Sequence, residues 1–150
     1  MERRSNQPAP PEGSVAAVAE LLASLVGQAI LFNEQVARAL GIGAVDLQAF
    51  GVISRYDGPI SPTEVAARTG LPASTTTRVL DRLEQAGYVV RSAVPGDRRK
   101  VGVEVVQEKA AEVARHYLGK VQQIKKLNAK RTDAEVAAVT SYLSELTARP

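Results

Sequence analysis

At Gly87 the spacing of the core-forming residues changes from helical to alternating, and no all-helical or all-strand fold accommodates that change. Before it, Thr76, Val79, Leu80 and Leu83 line one side of a helix predicted from Pro72 to about Ala86. After it, Tyr88 to Val94 is strand-like and Pro95-Gly96-Asp97 has turn chemistry. Val101, Val103 and Val105 then alternate with Gly102 and Glu104, as in a half-buried strand. The segment reads as a helix feeding a β-hairpin whose tip carries Arg98, Arg99 and Lys100.

A short helix precedes this unit. Ser61 is its cap, Pro62 its first residue, Glu64 completes a capping box, and Thr69-Gly70 ends it. Upstream of the Asp57-Gly58-Pro59 turn, Val45 to Tyr56 is a second helix with Leu47, Phe50 and Ile53 on one face. Before that, Val15, Val18, Leu22, Leu25, Ala29, Phe32, Val36 and Leu40 step by threes and fours, which predicts one long amphipathic helix capped by Ser14 and stopped at Gly41 and Gly43. Leu21, Val26 and Ile30 widen its stripe. The helical period returns from about Glu108, through Ala110, Ala114, Tyr117, Val121 and Ile124, and again through Val136, Val139, Leu143 and Leu146. The expected fold is mainly α with a small β-hairpin wing: a winged helix-turn-helix flanked by long N- and C-terminal helices. Residues 1–13, rich in proline, are expected to be a disordered tail, and 14–150 one domain. Within it 14–43 and 108–148 form the flanking helices and 44–107 the winged helix-turn-helix lobe.

Composition removes whole classes of chemistry. With no Cys there is no disulfide, thiolate metal site or thiol sensor, and one His, His116, excludes a multi-histidine metal centre. No Gly-rich phosphate loop is present, since Gly41-x-Gly43 lacks a third glycine and a preceding strand. The chain is not expected to be an enzyme or to carry a cofactor. No apolar run approaches the roughly 18 residues that span a bilayer, because Glu20 and Gln28 interrupt Val15–Leu31, and the start lacks an apolar signal core. No membrane partner and a cytoplasmic location are expected.

Charge points to a polyanion. The window from Arg68 to Lys100 holds seven basic and three acidic residues, +4, against +3 for the whole chain. A B-DNA major groove about 12 Å wide admits one α-helix, and the 72–86 helix is divided to suit it. Its outer side carries Ser74, Thr75, Thr77, Arg78 and Arg82. Hydroxyls at a helix start reach phosphates or base edges without bulk, the helix amides add positive partial charge, and Arg78 can meet a guanine edge through two bonds. Four β-branched or hydroxyl residues in a row lower helix propensity, so use explains Ser74–Thr77 better than stability does. Arg82 also has a bland alternative, an ion pair with Asp81 or Glu84 or a contact with Gln85. At the wing, Arg98, Arg99 and Lys100 suit the minor groove or its phosphates, and Asp97 is expected to fix the tip rather than touch DNA.

These residues carry a resemblance. The run Ser74-Thr75-Thr76-Thr77-Arg78-Val79-Leu80-Asp81-Arg82-Leu83-Glu84-Gln85-Ala86-Gly87-Tyr88-Val89-Val90-Arg91, followed by Asp97-Arg98-Arg99, resembles the MarR family of bacterial winged helix-turn-helix regulators. The likeness extends from about Ser14 to Leu146. It implies a homodimer in which the N- and C-terminal helices of 14–43 and 108–148 interlock as dimerisation helices, a pseudo-palindromic double-stranded DNA operator, mostly repression, and release by a small phenolic or other lipophilic effector. The chain departs from the family at Val106 and Lys109, where a Thr and a Gly are common, which leaves the start of the fifth helix without an evident cap. The rival readings are a winged helix used for protein interaction and a nucleoid-type protein without sequence preference.

Overall fold

The structure is a computed structural model that describes residues 13–148, apart from the side chains of residues 97–99. Its elements follow the order α1 (Ser14–Leu40), α2 (Ala44–Ser54), α3 (Pro62–Thr69), α4 (Ala73–Gln85), β1 (Val89–Val94), β2 (Asp97–Val105), α5 (Gln107–Asn128) and α6 (Asp133–Thr147). They form two compact units, Met1–Val105 and Val106–Pro150. The fold is the expected one, mainly helical with one antiparallel hairpin.

The first unit is built around α2 and α4. Leu47, Ala49, Phe50 and Ile53 of α2 and Val79, Leu80 and Leu83 of α4 are buried, joined by Val65 of α3, Tyr88, and Val89 and Val103 of the hairpin. Phe50 and Tyr88 meet edge to face, with ring centroids 5.7 Å apart. The Tyr88 hydroxyl donates to the Leu40 carbonyl oxygen at 3.1 Å, tying the start of the hairpin to the end of α1.

Helix starts follow the sequence only in part. Ser61 caps α3 by accepting from the Glu64 amide at 3.2 Å, but the Glu64 carboxylate turns to Arg68 at 2.6 Å instead of completing the box. Ser14 is the first residue of α1 rather than its cap. Gly13, at φ 96°, holds the cap position with no side chain to offer. Val106 caps α5 through its backbone alone, as its side chain requires.

The wing is tied down by a contact that alternation alone does not encode. Ile60 and Val103 exchange both backbone bonds, at 3.0 and 2.8 Å, so the α2–α3 connection lies beside β2. Val103 is therefore buried, whereas Val101, nearer the tip and paired with Ala93, is 53% exposed and the expected alternation fails there. Gly102 lets the connection approach. A Cβ at this position would stand 2.6 Å from the Pro59 Cβ and 3.0 Å from its carbonyl carbon. Gly102→Ala should therefore push β2 away from Pro59–Ile60 and cost about 1–3 kcal/mol, as overpacking does, read as a lower denaturant midpoint with an unchanged slope.

Apolar faces remain uncovered in the single chain. On α1 only Val36 and Ala37 are buried, while Leu21, Leu25, Val26, Ile30 and Leu31 are exposed. In the second unit, α5 exposes Leu118, Val121, Ile124 and Leu127, and α6 exposes Val139, Tyr142, Leu143 and Leu146. The expectation that no segment is apolar enough to span a bilayer is overturned on composition. The most apolar 18-residue window of α1 has a mean hydropathy of 2.0, because Glu20 and Gln28 are too sparse to lower it. Hydropathy of this kind marks any helix that buries most of its circumference, in lipid or in a protein assembly.

Candidate nucleic-acid interface

Helix α4 is anchored on one side and open on the other. Thr76, Val79, Leu80 and Leu83 are the residues it buries, the same inner stripe that the spacing predicts. On the far side Ser74, Thr77 and Arg78 are exposed and Thr75 is half-buried. Pro72 holds the cap position and no side chain caps this helix. The first intrahelical bond of the turn runs from the Thr76 amide to Pro72, so the amides of residues 73–75 have no intrahelical acceptor. That end concentrates positive partial charge.

The hydroxyl run is not uniform. Thr76 and Thr77 donate back to the Pro72 and Ala73 carbonyl oxygens, both at 3.1 Å. Thr76 is core. Thr77 is exposed and its hydroxyl oxygen keeps lone pairs, so it can still accept a bond. Ser74 and Thr75 have no such bond among the described residues and keep donors suited to phosphate oxygens.

The basic window is narrower than its charge count. Arg68 pairs with Glu64 and lies 5.1 Å over the Tyr56 ring. Arg91 of β1 reaches back to α4, bonding Asp81 at 2.6 Å and Glu84. That pairing neutralises the acidic side of α4, where bare carboxylates would repel phosphates. Arg82 has a partner outside its own helix, and none of Asp81, Glu84 or Gln85 supplies it. Its Nε donates to both Asp46 carboxylate oxygens at 3.2 and 3.1 Å, and its Nη2 to Oδ1 at 2.5 Å. The bond to the Asp46 carboxylate pushes the Arg82 guanidinium above its ordinary value. Arg78, one turn earlier, has no ion pair among the described residues.

At the wing, Val94 pairs with Asp97 across Pro95-Gly96, and Ala93 pairs with Val101. The backbone of residues 98–100 is thus extra length on β2, bulged out at the tip. Gly96, at φ 85°, makes the turn possible. Lys100 is exposed. The side chains of Asp97, Arg98 and Arg99, to which tip-fixing and DNA-contacting roles are assigned on sequence grounds, lie outside the described residues.

Comparison with known proteins agrees with this geometry. Residues 40–100 match the model of the MarR family. The chain is 38% identical over 82 residues to an uncharacterised HTH-type transcriptional regulator, YcgE, of Bacillus subtilis, covering 55% of this chain and 53% of that protein. It spans about half the length of the curated relatives it matches. The transcriptional regulator Tm0710 of Thermotoga maritima superposes with a TM-score of 0.61 at 25% identity, covering 87% of this chain and 92% of that one. Streptococcus pneumoniae FabT, crystallised in complex with DNA, has the same fold, with a TM-score of 0.67 at 20% identity over 89% of this chain and 94% of that one. The relatives are regulators, not enzymes. Residues 40–100 thus match the MarR family model, and the fold built around them is the one seen in the winged helix-turn-helix regulators that the chain resembles.

Proposed function

We propose that this chain is a cytoplasmic, sequence-specific regulator that binds double-stranded DNA as a homodimer at a pseudo-palindromic operator. One observation carries the reading: α4 buries a single stripe and turns Ser74, Thr75, Thr77 and Arg78 outward beside an uncapped helix start. In the reading, that helix enters a major groove. Ser74 and Thr75 donate to phosphates, Thr77 and Arg78 meet base edges, and Arg98, Arg99 and Lys100 grip the flanking groove while Asp97 steadies the tip. FabT, which shares the fold, was crystallised with DNA.

The homodimer is supported by the runs of exposed apolar side chains along α1, α5 and α6, the kind of surface that marks interaction sites. Two copies would place their α4 helices in half-sites about 34–36 Å apart. Repression, and release by a small lipophilic or phenolic effector, rest on the family resemblance alone.

The test is fluorescence anisotropy of the full chain on DNA from upstream of its own gene, against scrambled duplex, across a salt series, with the mass of the free protein taken by light scattering. The expected result is a dimer that binds one segment at two protomers per site and far more tightly than scrambled DNA. Equal affinities that fall together with salt would show a nucleoid-type protein. No binding even at low salt would overturn the DNA reading in favour of a protein-interaction wing, and a monomeric mass would overturn the dimer.

A further inference from the structure

Asp46 is the one buried carboxylate among the described residues, 5% exposed, and it sits where three segments meet. It lies in the first turn of α2, accepts from the Gly43 amide at 3.2 Å, and takes the Arg82 guanidinium of α4 on both oxygens. Gly43 belongs to the short connection between α1 and α2. The carboxylate thus joins the end of one helix, the start of the next and the outer face of a third, across 36 residues of sequence. An ion pair this exposed on one side, with Arg82 54% exposed, adds little to stability by charge alone. Its value lies in geometry. A forked guanidinium on a carboxylate fixes direction as well as distance, which a lysine ammonium does not.

We propose that Asp46 and Arg82 are positioning residues for DNA reading: the pair fixes the rotation of α4 about its own axis and ties that rotation to the α1–α2 junction. Arg82 is one turn after Arg78 on the same side of α4, so whatever orients the Arg82 stem orients the Arg78 stem above it. The core stripe sets which side of α4 faces inward, and the Asp46 fork sets the remaining few degrees. Arg82 is then not primarily a DNA contact, although its half-exposed edge lies on the DNA-facing side. The inference rests on the DNA-reading function proposed above.

The experiment uses the full chain and a duplex that the wild-type protein itself selects from a random-sequence pool. Asp46→Asn, Arg82→Gln, Arg82→Lys and the double variant Asp46→Asn/Arg82→Gln are compared, each verified as folded by circular dichroism below its melting temperature. The reading is the ratio of affinities for selected and scrambled duplex, with the salt slope of each. The positioning role predicts that Asp46→Asn lowers the ratio by about tenfold, within the range of couplings between contacting residues, while affinity for scrambled DNA and the salt slope are kept. Arg82→Gln does the same, Arg82→Lys recovers only part of the ratio, and the double variant is no worse than either single one. Should Asp46→Asn fail to fold, the Arg82 pair of variants decides alone, since that side chain is half exposed.

A direct phosphate contact gives the opposite pattern. Asp46→Asn would free the guanidinium and keep or raise affinity, and Arg82→Gln would weaken both duplexes and flatten the slope by about one. That result overturns the proposal. A wild-type chain that selects no sequence at all overturns the DNA-reading function and the positioning role with it. Specific binding that is indifferent to both substitutions overturns the positioning role only.

Discussion

Arg78→Ala is expected to collapse sequence discrimination while leaving the fold intact. The side chain is exposed, outside any ion pair among the described residues, and not one of the residues that its helix buries. Its removal opens no cavity and orphans no carboxylate, so the melting temperature should stay within the small range typical of surface substitutions. A bidentate contact to a guanine edge is worth about 1–3 kcal/mol of discrimination, so the ratio of operator to scrambled affinity should fall roughly 5- to 150-fold. The salt slope should change little, because base contacts release few counterions. Arg99→Ala is the informative contrast, since a wing residue that grips phosphate should weaken every sequence alike and flatten the slope by about one. Titration of both variants on matched and scrambled duplexes separates the two roles. If Arg78→Ala lowers both affinities in parallel, the arginine is a phosphate contact and base readout lies elsewhere.

What periodicity encodes was legible before any coordinates. The inner stripe Thr76, Val79, Leu80 and Leu83 is buried residue for residue, and the hairpin, its turn and the closing Gly87 fall where the spacing puts them. Periodicity says which side of an element faces the core. It does not say which polar group another element brings there. Asp46 is an unremarkable acid at the start of a helix until α2 packs against α4, and Arg82 then finds it rather than the nearer Asp81 or Glu84, which Arg91 has taken. Glu64 illustrates the same competition locally, because a capping box and an i,i+4 pair with Arg68 use one carboxylate and the pair wins. Val101 shows the limit of alternation, since a strand that leaves the body of the protein has no core for its inward positions to face. One signal for the wing anchorage did exist. A glycine between Val101 and Val103 marks a close backbone approach, and Pro59 is what approaches.

The largest loss of stability should come from Phe50→Ala. Phe50 is among the largest fully buried side chains, 2% exposed, in the middle of the helix against which α1, α3 and α4 all pack. Truncating such a residue removes its transfer energy and leaves a cavity, typically about 3–5 kcal/mol together. Here the edge-to-face partner Tyr88 loses its neighbour as well. Domains of this size are stable by only about 5–15 kcal/mol, so the variant should sit near the edge of unfolding at ordinary temperature. Tyr88→Phe is the milder contrast, because it keeps the ring pair and deletes the hydroxyl that bonds the Leu40 carbonyl, a change of about 1 kcal/mol. Urea midpoints of the two variants at one fixed protein concentration make the comparison independent of any shift in assembly. A loss below about 1 kcal/mol for Phe50→Ala would mean that α2 repacks freely around the gap. It would then be too yielding to serve as the rigid seat on which α4, Arg82 and the reading face depend. A loss near the upper figure would place the orientation of the reading face and the stability of the core in the same few side chains.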